Sequence, residues 1–139
     1  MLGSLPQNIR FLGLVERERM NAVYNASDLL FLPSYSELFP MAILEAAYCE
    51  KPLLLRDIGE YPPILFDCYL KGGSVEDFAR HIAKLRDDKA EYARWQGKSR
   101  QLRAFYGREH ILRMWDDFYT KILERAPAGG DLAARTGAV

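Results

Sequence analysis

Two short apolar runs decide the fold. The first reads LLFL at residues 29–32 and stops at a proline, and the second reads LLL at residues 53–55 and follows a proline. Continuous apolar runs of this length are typical of parallel strands buried on both faces. Between them, Pro40 precedes the segment MAILEAAY at residues 41–48, and proline is favoured at the start of a helix. The order strand, helix, strand predicts a parallel sheet.

The flanking segments extend this pattern. Residues 9–12 form a further apolar run that predicts a strand. Within residues 20–27 the apolar side chains recur at helical spacing, which predicts a helix. Ser74 and Asp77 resemble a capping box that starts a helix, and further helical segments continue to residue 125. We therefore expect an α/β fold with a doubly wound, Rossmann-like parallel sheet and C-terminal helices. Such sheets bind ligands outside the carboxyl ends of their strands.

Length and composition favour one domain with no nucleic-acid partner. The chain has 139 residues, and its 19 Lys and Arg balance its 19 Asp and Glu. The two cysteines lack metal-ligand spacing, and no run is apolar enough for a signal peptide or a membrane span. We expect a cytoplasmic protein, with one domain at residues 1–125. The Ala- and Gly-rich residues 126–139 are expected to be a disordered tail.

Two glutamates carry the chemistry that the sequence predicts. Glu45 is the one acid in the apolar helix, so we expect a buried carboxylate that needs a cation or hydroxyl donors, such as the diol of a ribose. Glu37 lies in the loop before that helix, at the carboxyl end of a strand. Free N–H groups near Met41 and Ala42 would favour a pyrophosphate. The structural alternatives are a helix-dipole interaction for Glu37 and an ion pair for Glu45.

The segment PSYSELFPMAILEA at residues 33–46 resembles the E-x7-E segment of the group 1 glycosyltransferases, which have the GT-B fold. Its flanks are similar as well, through NIRFLG at residues 8–13, YNASD at residues 24–28 and KPLL at residues 51–54. The resemblance covers residues 8–125. It implies part of a C-terminal, nucleotide-sugar-binding domain.

The resemblance also implies roles for individual residues. Glu45 would bind the ribose of the donor, Glu37 would lie near the transferred sugar as the catalytic residue, and Leu14 would border the base. Backbone groups would contact the sugar and phosphates at four positions: Phe39, Pro40, Met41 and Ala42. The implied reaction is transfer from a nucleotide sugar to a hydroxyl with retention of configuration, without a bound metal or other cofactor.

The sequence departs from the family's pattern in two respects. The residues after Glu37 are LFP instead of a glycine-containing stretch, so the resemblance does not identify the transferred sugar. The family's domain normally begins with two further strands that carry an Arg and a Lys for the phosphates. An N-terminal domain would bind the glycan, lipid or small-molecule acceptor. We therefore expect the isolated chain to be inactive, and the full-length protein to be cytoplasmic or peripheral to the membrane.

Two other features allow alternatives. Arg56 and Asp57 follow a predicted strand at its ligand-facing end, where they could form a structural pair or border the donor. An uncovered sheet edge, or the apolar stripe on the last helix at residues 111–123, predicts self-association. The rival interpretation of the whole chain is a non-catalytic, Rossmann-like module that binds nucleotide or self-associates.

Overall fold

The computed structural model describes residues 6–125. Within that range, strands and helices follow one another as α1 Arg17–Asn25, β1 Leu30–Leu32, α2 Met41–Tyr48, β2 Leu53–Arg56, α3 Pro62–Leu65, β3 Leu70–Gly72, α4 Val75–Asp87, α5 Lys89–Phe105 and α6 Arg108–Arg125. The chain divides into two compact units, one ending at Arg103 and one beginning at Ala104. The predicted tail at residues 126–139 lies outside the described residues.

The sheet of the first unit has the order β1-β2-β3, with both pairings parallel. Leu30 lies opposite Leu53, and Leu54 lies opposite Leu70. The central strand β2 is buried at its three leucines, as expected for a strand covered on both faces. The predicted α/β class with a parallel, Rossmann-like sheet and C-terminal helices is therefore confirmed.

The strand predicted at residues 9–12 is wrong. This segment is irregular, and Ile9, Phe11 and Leu12 are each more than half exposed. A strand is stabilised by hydrogen bonds to a neighbouring strand, and within residues 6–125 no segment pairs with this one. Apolar composition alone was not sufficient to form it.

Helix α4 begins at the predicted capping box. The Asp77 N–H donates to Ser74 Oγ at 3.1 Å, and the Ser74 N–H donates to Asp77 Oδ2 at 3.2 Å. These bonds satisfy backbone donors that the first helical turn leaves unpaired. Phe78 and Leu85 form the buried face of this helix, whereas Val75 and Ile82 are exposed.

The hydrophobic core joins the sheet to α4 and α5. Gly72 permits this packing, since a Cβ at that position would collide with the ring of Phe78. One cluster of this core contains the buried residues Leu54, Leu70, Phe78 and Leu85, with Leu29, Tyr92 and Trp95 packed against them.

Side chains of α5 close the amino ends of two strands. The Tyr92 hydroxyl donates to the carbonyl of Asp28, before β1, at 2.8 Å. The hydroxyl of Ser99, which is fully buried, donates to the carbonyl of Lys51, before β2, at 2.6 Å. Trp95 is half-buried and its indole N–H donates to Glu91 at 2.9 Å. Each of these bonds satisfies a polar group that packing would otherwise leave without water.

Helix α6 belongs to the second unit and has no buried residue. Its aromatic residues contact one another, with the rings of Trp115 and Tyr119 stacked at 5.7 Å and those of Trp115 and Phe118 edge-on at 5.8 Å. The apolar stripe predicted for this helix is present and exposed. Among the described residues, no helix has the length and apolarity to cross a membrane.

Candidate functional site

The site predicted from the sequence is built on one loop and the helix that follows it. The loop leaves β1 at its carboxyl end and enters α2, where Pro40 is the N-cap residue and supplies no side-chain hydrogen bond. The Ile43 N–H bonds to the carbonyl of Pro40 at 3.1 Å. The N–H groups of Met41 and Ala42 donate to no atom of residues 6–125, so both remain available to a ligand.

Glu45 lies in the second turn of α2 and is exposed, so its predicted burial is wrong. Its Oε2 accepts a hydrogen bond from the hydroxyl of Tyr24, on α1, at 2.8 Å. It forms no ion pair with any residue from 6 to 125, which removes the structural pair as an explanation. The helix is apolar toward the sheet and turns this one acid toward the solvent beside α1. One carboxylate oxygen is thus held in place and the other is open.

Tyr24 is the residue that orients Glu45. Its side chain is only 8% exposed, and burial, followed by the hydrogen bond and charge of Glu45, raises the pKa of Tyr24 to about 12. The hydroxyl therefore stays protonated and keeps donating at neutral pH. A tyrosine with a buried ring and a polar tip is a common core residue, so its sequence position alone did not identify it.

Glu37 is half-buried in the loop between β1 and α2. It makes no hydrogen bond or ion pair with the residues that the structure describes. Its charge acts on Tyr61, whose pKa is raised to about 12 by burial first and then by Glu37. The Tyr61 side chain is fully buried, and its hydroxyl has no partner within residues 6–125. Glu37 therefore lies close enough for its charge to act on a buried hydroxyl that has no partner within residues 6–125.

The rest of the predicted site forms an apolar rim. Leu38 is 95% exposed, Met41 is 59% exposed and Phe39 is 39% exposed. Pro40 and Ala42 are half-buried beneath them. The helical rise places Glu45 about 6 Å along the axis from the first turn. One continuous segment thus brings together acids, free N–H groups and apolar surface.

Leu14 is separate from this group. It is 97% exposed and lies beside a cavity of about 410 Å³. The lining comes from α1 and from the segments on either side of it, at Leu12, Leu14, Val15, Arg19, Ala22, Val23, Ala26 and Ser27. That lining includes no residue of α2, so the geometry leaves the predicted base contact of Leu14 untested.

Arg56 and Asp57 do not pair with each other. Arg56 instead donates from Nε to the carbonyl of Pro33 at 2.9 Å and from Nη1 to the carbonyl of Gly73 at 3.3 Å. Its guanidinium stacks on the ring of Tyr35 at 3.8 Å. The sequence could not distinguish this arrangement, because the partners are backbone carbonyls of distant residues.

A family comparison decides what kind of protein this is. The model of the glycosyl transferases group 1 matches residues 4–102, which include the loop, α2 and the whole sheet. The chain belongs to the group 1 glycosyl transferases. The resemblance noted in the sequence is therefore confirmed at the level of the family.

The chain is also similar to individual glycosyltransferases. The chain is 41% identical to the alpha-galactosylglucosyldiacylglycerol synthase of Streptococcus pneumoniae over 116 residues, which are 84% of this chain and 31% of that protein. It is 33% identical to the processive diacylglycerol alpha-glucosyltransferase of Acholeplasma laidlawii over 62% of this chain and 27% of that one. The D-inositol 3-phosphate glycosyltransferase of Mycolicibacterium smegmatis is 31% identical, over 60% and 20%. The chain spans less than a third of each relative.

Within this group 1 glycosyl transferase segment, the individual site residues remain predictions. No three His, Cys, Asp or Glu side chains among residues 6–125 are grouped so that they could hold a metal ion. A second cavity, of about 650 Å³, lies at the amino end of β1, where Asp28, Tyr92 and Arg86 are among the lining residues. Its lining contains none of the predicted site residues.

Proposed function

We propose that this chain binds the nucleotide-sugar donor of a longer glycosyltransferase that transfers the sugar to a hydroxyl with retention of configuration. The observation that carries the proposal is the loop and helix α2. Along the chain they offer a carboxylate at Glu37 that pairs with none of the described residues, N–H groups at Met41 and Ala42 that donate to none of them, and an oriented carboxylate at Glu45. A nucleoside diphosphate sugar has matching groups in the same order: sugar hydroxyls, phosphates and ribose hydroxyls.

Glu45 is suited to a ribose because Tyr24 already holds one of its oxygens. The remaining oxygen can accept from a vicinal diol without first being ordered, and preorganisation of this kind favours binding. The phosphates would accept hydrogen bonds from the α2 N–H groups, whose partial positive charge also favours an anion. Phe39 and Pro40 would complete the contacts through their backbones, and Leu14 would border the base.

Glu37 is suited to the transferred sugar. Its carboxylate forms no ion pair or hydrogen bond within residues 6–125, so its hydrogen-bonding capacity is free for sugar hydroxyls. Glycosyl transfer passes through an oxocarbenium-like state, and a fixed negative charge stabilises the positive charge that develops there. No step of this proposal needs a metal or another cofactor. The leaving diphosphate would be stabilised by N–H donors and by basic groups.

A glycolipid acceptor is the class that the relatives favour. Two of them are named for diacylglycerol products or substrates, and both names specify alpha linkages. An alpha product from an alpha-linked donor would be a retained configuration. We propose that the full-length protein works at the membrane surface as a peripheral enzyme and that other parts of it bind the acceptor. The isolated chain would then be inactive in transfer.

Calorimetric titration with UDP, GDP and ADP tests the donor site. It should be carried out on this chain and on the full-length protein that contains it. We expect one nucleotide to bind saturably and Glu45→Gln to weaken it by at least tenfold, without loss of thermal stability. Glu50→Gln is the matched control, because Glu50 lies just beyond α2 but pairs with Arg100 and Arg103. Equal losses in the two variants, or no binding at all, would contradict the proposal.

The second candidate is a self-associating module. It is favoured by the exposed apolar stripe of α6, which includes Trp115 and Phe118, and by the two open edges of the sheet. Light scattering at rising concentration should then show a dimer. A monomer throughout, combined with nucleotide binding, would leave the donor-binding proposal alone.

A further inference from the structure

Arg56 connects the carboxyl ends of all three strands. It is the last residue of β2, and it donates hydrogen bonds to Pro33, just after β1, and to Gly73, just after β3. These carbonyls lie on segments 23 and 17 residues away in sequence. A single side chain therefore fixes the edge of the sheet at which doubly wound proteins bind ligands.

The charge of Arg56 is not compensated. Within residues 6–125, no carboxylate lies within ion-pair distance of its guanidinium. This includes the carboxylate of the neighbouring Asp57. Its partners are two neutral carbonyls and two rings, Tyr35 at 3.8 Å and Phe78 at 5.5 Å. Lys71, in β3, differs in this respect because it pairs with Asp67. A half-buried cation without a counter-charge creates a positive potential that an anion can neutralise.

The geometry of Arg56 also suits a phosphate group. Two hydrogen bonds to backbone carbonyls and the stacked Tyr35 ring hold the guanidinium plane in one orientation. The Nη2 atom donates to no described residue. Guanidinium groups bind phosphate through two parallel N–H donors, and a plane that is already fixed loses less entropy on binding. The loop that starts at Pro33 carries Glu37 and leads into α2, so the cation lies at the base of the proposed donor site.

We propose that Arg56 binds a phosphate of the nucleotide donor and sets the preference for a diphosphate over the free nucleoside. This inference rests on the proposed function, and it assigns a phosphate-binding side chain within this chain itself. The expected ligand class is a nucleoside diphosphate, free or esterified to a sugar. The negative charge of the leaving diphosphate would grow during transfer, so the same contact would stabilise the transition state.

The test compares nucleosides with their diphosphates. Uridine, guanosine, adenosine and their diphosphates are titrated into the full-length wild-type protein, Arg56→Gln, Arg56→Lys and the control Arg80→Gln. Arg80 is exposed on α4 and pairs with Asp77, so it matches the loss of charge away from the site. We expect Arg56→Gln to weaken the diphosphate on the order of tenfold or more. Nucleoside affinity should change less than about twofold, and Arg56→Lys should lie between wild type and Arg56→Gln.

Salt dependence supplies the readout that a purely structural role would not move. Loss of a phosphate-contacting cation should reduce the dependence of diphosphate affinity on ionic strength, because one screened interaction is gone. Equal weakening of nucleoside and diphosphate, with unchanged salt dependence, would make Arg56 a structural clamp and overturn the inference. Unchanged diphosphate affinity would overturn it as well. Absence of any nucleotide binding by the wild type would instead reject the proposed function and this inference together.

Discussion

The two ends of the sheet are built differently. At the amino ends, α5 contacts two strands through hydroxyl groups, since Tyr92 and the buried Ser99 each donate to a backbone carbonyl. At the carboxyl ends, Arg56 bridges the outgoing loops but retains an uncompensated charge, and Glu37 has no partner among the described residues. The closed end has its polar groups satisfied internally, whereas the open end keeps donors and acceptors that a ligand can satisfy.

This contrast separates stability from binding. Buried polar groups in proteins are normally paired, so unpaired ones at a sheet edge indicate a place where solvent or substrate completes the network. Substitutions in the core and at the closed end should therefore change the free energy of unfolding. Substitutions at the open end should change affinity or rate and leave stability nearly constant.

The largest effect on stability should come from the core beneath the closed end. Leu54→Ala removes a fully buried side chain from the cluster with Leu70 and Phe78, and should lower the free energy of unfolding by about 2–5 kcal/mol. Leu38→Ala is the matched control at the open end, where the side chain is 95% exposed, and should cost less than about 0.5 kcal/mol. Urea unfolding of both variants measures the two losses of stability. Similar losses would contradict the proposed difference between the two ends of the sheet.

The largest effect on catalysis should come from Glu37. In the full-length enzyme, Glu37→Gln should lower kcat by about 100-fold, because the carboxylate would act on charge that develops at the sugar. The affinity for the nucleoside diphosphate, which lacks the sugar, should stay within about twofold. Steady-state kinetics with parallel calorimetry separates the two quantities. A variant that loses diphosphate affinity while keeping kcat would move Glu37 to the nucleotide and remove it from the reaction.

A smaller effect, at the boundary between binding and stability, should come from Tyr24. At neutral pH, Tyr24→Phe removes one hydrogen bond to Glu45 and should cost about 1 kcal/mol of stability. Folding raises the pKa of Tyr24 to about 12, so the protonated hydroxyl is favoured in the folded state. Its contribution is therefore complete below the unfolded pKa, near 10, and is lost as pH rises to about 12.

Alkaline unfolding checks that sign. Wild-type stability should fall between about pH 10 and pH 12, and Tyr24→Phe should show a shallower fall over the same window. Part of the fall should persist in the variant, because Tyr61 has a pKa raised to the same value. An identical pH slope in the two proteins would show that the Tyr24 hydroxyl does not titrate in this window.

The fold was predictable because its signals are local. Pro40 and the apolar residues after it specified α2, and Ser74 with Asp77 specified the start of α4. The strand expected at residues 9–12 failed because pairing depends on a neighbour that residues 6–125 do not provide. Local patterns thus identify elements, but they do not show whether a strand finds its partner.

The site was predictable in its chain positions and not in its contacts. The sequence located Glu37 and Glu45 but wrongly buried Glu45, since a helix apolar on most sides still presented one side to solvent. The hydrogen bond from Tyr24 spans 21 residues, and the clamp made by Arg56 ends on backbone atoms. Contacts of this kind depend on tertiary packing, which no periodicity in the sequence encodes.

The placement of the two tryptophans gives the protein its own optical reporters. Trp95 is half-buried in the first compact unit and Trp115 is half-exposed in the second. Indole emission shifts to longer wavelength as water reaches the ring, so the two residues should fluoresce at different wavelengths. Trp115→Phe would leave an emitter that follows only the unit carrying the sheet, and Trp95→Phe would leave one on α6. Each unit can then be observed melting without any added label.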